Sequence, residues 1–297
     1  MLKLSQVAAL GLLAFVAPAC LAADHGVEPS IDVTYSNDDN QSQAANSRDR
    51  VEDQSVSGQL SLIADLEFAT SQLLTVRLFG EKEAMDEVGE LDRSTFGGAA
   101  SWRLRYGRGF TAPIFEVSAS IQADNYDTDQ RDSTVTRVQA FVTRRLTDRL
   151  TLTVGGEYRK RDSEGSVWDL EDGRGFLNAD LMLNQRAAIY GTYSRINGDV
   201  ASSAQRSFCN GSVATDIFDL VDAATAIEKD EAYNSAFCGE WVAYRLDARS
   251  NVLTLGFNYA LGHSMALDLS ALDADVEGSS DNSYQRRLYR ATLLKRF

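Results

Sequence analysis

The chain of 297 residues is 44% hydrophobic and 24% charged, and it carries a formal net charge of −14 at pH 7. This composition argues against a disordered or a fibrous protein, because it supplies enough apolar residues for a folded domain. The acidic balance argues against nucleic acid as a partner, since a phosphate backbone requires a basic surface.

Residues 1–22 have the organisation of a secretory signal peptide. Lys3 precedes an apolar stretch over residues 7–16, and a run of small residues follows it. The stretch is shorter than the roughly 20 apolar residues of a membrane-spanning helix. We expect cleavage after Ala22 or the next residue, which leaves residues 23–297 as the mature protein. The alternative is that Cys20 becomes a lipidated first residue.

From Ser55 onward, apolar and polar residues alternate with a period of two, which is typical of β-strands with two different faces. The alternating segments reach about 14 residues, whereas soluble strands usually have about 5 or 6 and a membrane crossing needs about 9 to 11. Short connections alternate with longer acidic ones. The short ones lie at 70–72, 108–112, 147–149, 184–186 and 262–264.

These features predict an all-β protein, a transmembrane antiparallel up-and-down β-barrel of about 12 strands with short periplasmic turns and long outer loops. In lipid, only a closed barrel pairs every backbone group of a sheet. A secreted soluble β-sandwich, which would also alternate, is the alternative.

The longest connection, residues 199–250, is predicted to be an extracellular loop insertion. It contains Cys209 and Cys238, and an even pair of cysteines in an oxidising compartment predicts a disulfide. Apolar spacing over residues 216–226 predicts a short amphipathic helix capped by Thr215. Such a loop either folds into the barrel mouth and constricts it or stands outside as a receptor surface.

The C-terminal segment ends in an alternating strand in which Tyr289, Ala291, Leu293 and Phe297 share one face. Here the sequence resembles the Gram-negative outer-membrane β-barrel superfamily, whose members commonly end in such a strand with a terminal Phe. The resemblance implies localisation in the outer membrane and recognition by the barrel-assembly machinery. Lys295 departs from the pattern, since an aromatic or apolar residue is usual at that position.

Charged residues of both signs occupy the face of the strands that is predicted to line the lumen. Their signs nearly balance, so we expect them either to brace the interior as ion pairs or to line a narrow pore. The lumen-lining candidates are Arg77, Arg103, Arg105, Glu116, Asp124, Arg137, Glu157, Arg159, Asp180, Asp268 and Arg290.

Surplus acid collects in the predicted outer loops, where Asp127, Asp129 and Asp132 are close enough in sequence to suggest a divalent cation. This segment lacks the glycine and glutamate of a calcium-binding loop, and solvated charge is the alternative. We expect lipid and lipopolysaccharide to surround the protein. A further alternative for the acidic loops is that divalent cations bridge them to lipopolysaccharide phosphates. No metal centre or cofactor is predicted.

Catalysis is not expected, because only two histidines are present and neither is well placed. His25 lies beside the cleavage site, and His263 lies in a predicted periplasmic turn. The sequence therefore favours a porin-like channel for small hydrophilic solutes, with a modest cation preference set by acid at the mouth. The alternative is a closed barrel that serves structure, adhesion or assembly through its loops.

Overall fold

The computed structural model describes residues 26–279 and 282–297. The predicted signal peptide, Cys20 and His25 lie outside the described residues. Within the described part of the chain, no helix is long and apolar enough to cross a bilayer.

Strands account for most of the described residues. They are β1 (Val27–Asp38), β2 (Asp53–Ala69), β3 (Gln72–Met85), β4 (Arg93–Arg105), β5 (Ile114–Tyr126), β6 (Ser133–Arg145), β7 (Leu150–Ser163), β8 (Leu170–Met182), β9 (Ala187–Ser207), β10 (Ala226–Lys229), β11 (Glu240–Ala260), β12 (Met265–Gly278) and β13 (Ser283–Arg296). The two α-helices are α1 (Ile217–Val221) and α2 (Glu231–Ala236). Short 3-10 turns cover Ser47–Asp49, Gly89–Leu91, Asp129–Arg131 and Ser166–Trp168.

Every strand except the short β10 belongs to one closed antiparallel wall. Neighbours in sequence pair with each other, β13 pairs with β1, and β11 pairs with both β9 and β12. The result is a 12-stranded up-and-down barrel. Closure leaves no free sheet edge, which satisfies the backbone groups that lipid cannot pair. The predicted barrel fold is confirmed.

The two ends of the barrel differ as the sequence predicted. At one end, short turns join β2 to β3, β4 to β5, β6 to β7, β8 to β9 and β11 to β12, and both ends of the described chain lie there. At the other end, the connections contain the 3-10 turns and both helices, and the two longest, residues 39–52 and 208–239, exceed every turn at the first end. We call the first end periplasmic and the second end outer, following the usual asymmetry of such barrels.

The outward face of the wall is apolar, and many of its large side chains are exposed in the described part of the chain. Phe96 is 68% exposed, Ile121 58% and Val154 57%. A water-soluble protein rarely exposes so many large apolar side chains in one continuous band. The band therefore faces lipid, and the intervening residues of each strand point into the lumen.

Strands β9 and β11 extend beyond the rest of the wall at its outer end. The pairing of β8 with β9 ends at Gly198, and the pairing of β11 with β12 ends at Ala248. Beyond these points β9 and β11 continue to pair with each other as far as Ser207 and Glu240. Thus the ends of segment 199–250, which the sequence assigned to a loop, are strand, and the connection itself comprises residues 208–239.

Gly198 marks the place where β9 leaves the wall. Its φ is +146°, and a Cβ atom there would lie 2.2 Å from the carbonyl oxygen of Glu171. Both the backbone angle and the close approach of β8 require glycine at this position.

Candidate functional site

The connection between β9 and β11, residues 208–239, lies over the outer mouth of the barrel and is called the lid. It contains α1, β10 and α2. A disulfide joins Cys209 to Cys238 across a sequence separation of 29 residues, which confirms the predicted bridge. The bridge closes the base of the lid, next to the paired residues Ser207 and Glu240.

The predicted amphipathic helix exists but is shorter than residues 216–226. The residue before α1 is Asp216 rather than Thr215, and its carboxylate accepts hydrogen bonds from Arg48 and from Asn46 Nδ2, the latter at 2.7 Å. The hydrogen bond from Arg48 lowers the pKa of Asp216. Ile217 and Leu220 are buried, as the apolar spacing predicted.

The second helix of the lid reaches the opposite wall of the barrel. Tyr233 of α2 is 1% exposed and packs with Met85, Val88 and Leu91, which belong to β3 and to the β3–β4 loop. Strand β3 lies across the barrel from β11 in the closed order of strands. The lid therefore spans the mouth instead of standing beside it.

A buried ion pair fixes the centre of the lid. Asp230 is fully buried, and its carboxylate accepts hydrogen bonds from Arg131 NH2 at 3.0 Å and from Ser203 Oγ at 2.6 Å. The guanidinium of Arg131 also lies 3.7 Å from the ring centroid of Trp168. A buried carboxylate with these partners couples the lid to the β5–β6 and β7–β8 loops.

Other contacts attach the lid to the remaining outer loops. Glu228 accepts a hydrogen bond of 2.6 Å from the backbone N–H of Val167 in the β7–β8 loop. Asn282 of the β12–β13 loop donates to the carbonyl oxygen of Leu220 at 2.8 Å. Together with Arg48 in the β1–β2 loop, these contacts connect the lid to all five other outer loops.

Asp230 provides a direct test of the lid. Asp230→Ala leaves Arg131 buried without its carboxylate, which is expected to destabilise the lid by about 3 to 5 kcal/mol while the wall stays folded. Hydrogen exchange should then accelerate across residues 208–239 and remain slow in β5 and β6. The control is Asp129→Ala, which removes an exposed acid from the loop that holds Arg131. It should leave hydrogen exchange unchanged both in the lid and in β5 and β6. Uniform acceleration over the barrel would show that the lid is not a separate unit.

Several loop acids that the sequence placed at a solvated mouth instead bind backbone. Asp92, Asp132 and Asp169 each follow a 3-10 turn and accept the N–H of the last residue of the preceding strand, at 2.7, 2.6 and 2.6 Å. Burial raises the pKa of Asp92. These carboxylates fix the conformation of the loops, and hydrogen bonds within the protein partly satisfy their negative charge.

Below the lid, the lumen contains two adjoining cavities of about 340 and 280 Å³. Both are lined by Gln43, Arg286, Leu288 and Arg290. We call this combined space the chamber. The charged residues that line the larger cavity are Arg159, Arg174, Arg286, Arg290 and Asp199. The smaller cavity adds Arg93, Arg131, Arg161, Asp38, Asp53 and Glu83.

Some chamber arginines are neutralised and others are not. Arg286 Nε donates to Asp38 at 2.8 Å, and Arg159 Nε donates to Asp172 at 2.6 Å. Arg174 donates to the Ser194 hydroxyl at 2.8 and 3.0 Å and lies over the ring of Phe176. Within the described residues, Arg290 has no hydrogen bond or ion pair.

The structure brings few of the predicted lumen charges together as ion pairs. Arg103 donates to Glu116 at 2.9 Å, and this is a direct pair within the predicted set. The others meet neutral groups or residues outside the set. Their contacts are Arg77 with Ser61, Asp124 with Thr95, Gln122, Arg93 and Arg161, Glu157 with Gln139, Asp180 with Asn178, Asp268 with Tyr190, and Arg159 with Asp172.

The remaining predicted lumen charges lie at different heights. Arg105 and Arg145 line a third cavity beside the periplasmic turn between β4 and β5. Arg137 has no ion-pair partner in the described part of the chain, and Arg290 lines the chamber. The predicted set of lumen charges does not include Arg93, Arg174 and Arg286, although each lies on the lumen-facing side of its strand.

The C-terminal strand lies in the wall as β13. Tyr289 and Leu293 are exposed on its outward face, and the backbone N–H of Phe297 donates to the carbonyl oxygen of Pro29 at 3.1 Å. The ammonium of Lys295 lies 4.6 Å from the ring centroid of Phe297. The lysine that departs from the usual pattern thus packs on the terminal aromatic ring.

Two further expectations concern metals and catalysis. In residues 26–279 and 282–297, no group of three or more His, Cys, Asp or Glu side chains converges as a metal site. His263 lies in the β11–β12 turn at the periplasmic end, as predicted. The absence of an enzymatic activity and the bridging of loops to lipopolysaccharide by divalent cations stay predictions.

Comparison with known proteins identifies the fold and no narrower group. No protein-family profile matches the chain, and no curated protein matches it. A COG4313 outer-membrane channel from Pseudomonas putida F1 is similar in structure, with a TM-score of 0.60 at 11% identity over 95% of this chain and 100% of that one.

Weaker similarities extend to barrels of other kinds. The translocator domain of the autotransporter NalP from Neisseria meningitidis has a TM-score of 0.42 at 13% identity, over 99% of this chain and 95% of that one. Outer-membrane phospholipase A from Escherichia coli has a TM-score of 0.46 at 9% identity, over 90% and 92%. The chain has the fold of bacterial outer-membrane β-barrels, and with its apolar band this fold places it in the outer membrane.

Proposed function

We propose that this protein is an outer-membrane channel for small hydrophilic solutes and that the lid restricts its outer mouth. The observation that carries the proposal is the chamber, a polar and charged space inside the wall with room for a small solute. A barrel with a purely structural role has no need for arginines that point into such a space without partners. The similar structure with the highest TM-score of those described above is described as a channel.

The proposal includes no enzymatic step. It assigns the apolar band to contact with lipid and lipopolysaccharide, and the C-terminal face of Tyr289, Ala291, Leu293 and Phe297 to recognition by the barrel-assembly machinery. The second candidate, a closed barrel that acts in structure, adhesion or assembly through its loops, is favoured by one observation. The lid is packed against every other outer loop, as expected for a fixed surface.

Matched cysteine variants in β5 test whether solutes pass through the lumen. Ser118 points inward and contacts Gln139, whereas its neighbour Val117 is 49% exposed on the lipid face. Ser118→Cys and Val117→Cys are reconstituted in planar bilayers, and a charged, water-soluble methanethiosulfonate reagent is added. Modification of Ser118→Cys should lower the single-channel conductance, while Val117→Cys should be unaffected.

The native Cys209 and Cys238 are joined and do not react, so the wild-type protein is a second control. A protein that inserts into bilayers but shows no conductance in any variant would favour the closed barrel. Equal effects at Ser118 and Val117 would show that current does not follow the lumen.

A further inference from the structure

The larger cavity of the chamber combines two surfaces of different chemistry. Guanidinium groups come from β7, β8 and β13, and apolar side chains come mainly from β9, β11 and β12, which lie between β8 and β13 in the wall. The apolar residues that line it are Ile196, Val200, Val252, Leu272, Ala274, Val276 and Leu288. Ligand sites of proteins commonly have this combination of an apolar wall and a few fixed polar groups.

The charge in this cavity is not balanced by the protein. Arg159 and Arg286 are each paired with a carboxylate, but Arg174 and Arg290 are not. Among the acids, Asp199 lines the cavity, and it accepts a hydrogen bond of 3.1 Å from the backbone N–H of Glu171. Neither Arg174 nor Arg290 makes a direct ion pair in the described part of the chain, although the carboxylates of Glu83 and Asp38 act electrostatically on Arg290 from the adjoining cavity. Both guanidinium groups therefore keep free N–H donors toward a space that can hold a ligand.

Unpaired arginines are costly inside a partly desolvated space, and a carboxylate is the partner whose geometry matches a guanidinium. The backbone amides and hydroxyls nearby do not supply this charge. Because the strands between these arginines add apolar side chains to the same cavity, the complementary ligand has an acidic group and a hydrocarbon body.

We propose that the chamber binds small organic carboxylates with an apolar body, and that Arg290 and Arg174 hold the carboxylate. This inference deepens the proposed channel function, on which it rests, by naming the class of solute. Arg290 contributes more to the binding of the carboxylate, because two N–H donors of Arg174 already bind the Ser194 hydroxyl. The apolar residues of β9, β11 and β12 contact the body of the ligand.

The site is tested by calorimetric titration of the full-length protein in detergent with benzoate, which carries one carboxylate on an apolar ring. Arg290→Gln is expected to weaken binding by about tenfold, the usual effect of losing a charge-assisted hydrogen bond, and Arg174→Gln by less. Arg145→Gln removes the same charge from the separate periplasmic cavity and is the matched control. It should change the affinity less than twofold.

Two further ligands separate the contribution of the carboxylate from that of the apolar ring. Benzyl alcohol has a similar ring without the charge, and acetate has the charge without the ring, so both should bind more weakly than benzoate. Equal binding of benzyl alcohol would overturn the role of the arginines, and equal binding of acetate would overturn the role of the apolar wall. Loss of affinity in Arg145→Gln as large as in Arg290→Gln would show that the effect is not local.

Binding in detergent does not require conduction, so the two proposals fail separately. Conductance without benzoate binding would remove the carboxylate site and leave the channel. Benzoate binding without conductance would remove the channel and leave a binding barrel.

Discussion

Replacing residues 208–239 with an Asn-Gly turn should raise the single-channel conductance severalfold. Ser207 and Glu240 are direct partners in the β9–β11 pairing, so a two-residue turn of this type can join them without a change of register. The replacement removes α1, β10, α2 and the disulfide together. Because the lid spans the mouth, its removal should widen the narrowest part of the path.

The control for this experiment keeps the lid and removes only its covalent closure. Cys209→Ser with Cys238→Ser retains the buried contacts of Tyr233 and Asp230, so its conductance should stay near that of the wild type. Both proteins should keep the β-sheet circular dichroism and the resistance to detergent unfolding of a closed barrel. An unchanged conductance after lid replacement would mean that the constriction lies deeper in the lumen.

The architecture was largely predictable because its signal is local. Successive side chains of a strand point to opposite faces, so a lipid-facing strand such as β5 can be recognised from about a dozen residues in which apolar and polar side chains alternate. Closure then follows from the need to pair every backbone group in lipid. The short periplasmic turns followed from the same pattern, since they are the gaps between its segments.

The lid could not be predicted in the same way. Tyr233 is nearly completely buried, but it lies in a segment without regular alternation, and its partners Met85, Val88 and Leu91 are far away in sequence. The segment 216–226 has a helical spacing because α1 buries Ile217 and Leu220. The residue before α1, Asp216, binds the β1–β2 loop, which is far away in sequence. A loop that packs across a barrel mouth has no regular spacing of apolar residues in its sequence as a whole.

The loop acids were interpreted wrongly for a similar reason. Asp92, Asp132 and Asp169 look like solvated charge until the ends of the preceding strands are known. Their common position after a 3-10 turn is a repeated feature that the sequence contains but that alternation does not reveal. The ion pairs of the lumen also escaped prediction, because cross-strand partners depend on register.

The reversal potential in a salt gradient should indicate a preference for anions, which is opposite to the preference expected from the sequence. A cation preference requires free negative charge at the mouth, but several acids there bind backbone or buried arginine. The unpaired Arg174 and Arg290 lie inside the wall, where low-dielectric surroundings strengthen their effect on a passing ion.

The double variant Arg174→Gln with Arg290→Gln should shift the reversal potential toward cations, and the shift should persist when the salt is raised. Charges in a narrow lumen are screened less than charges at an open mouth, where the screening length falls from about 30 Å at 0.01 M to about 8 Å at 0.15 M salt. Glu87→Gln with Asp129→Asn neutralises two exposed loop acids and should move the potential little. A cation preference in the wild type that disappears in this second variant would show that the mouth controls selectivity and that the chamber arginines do not.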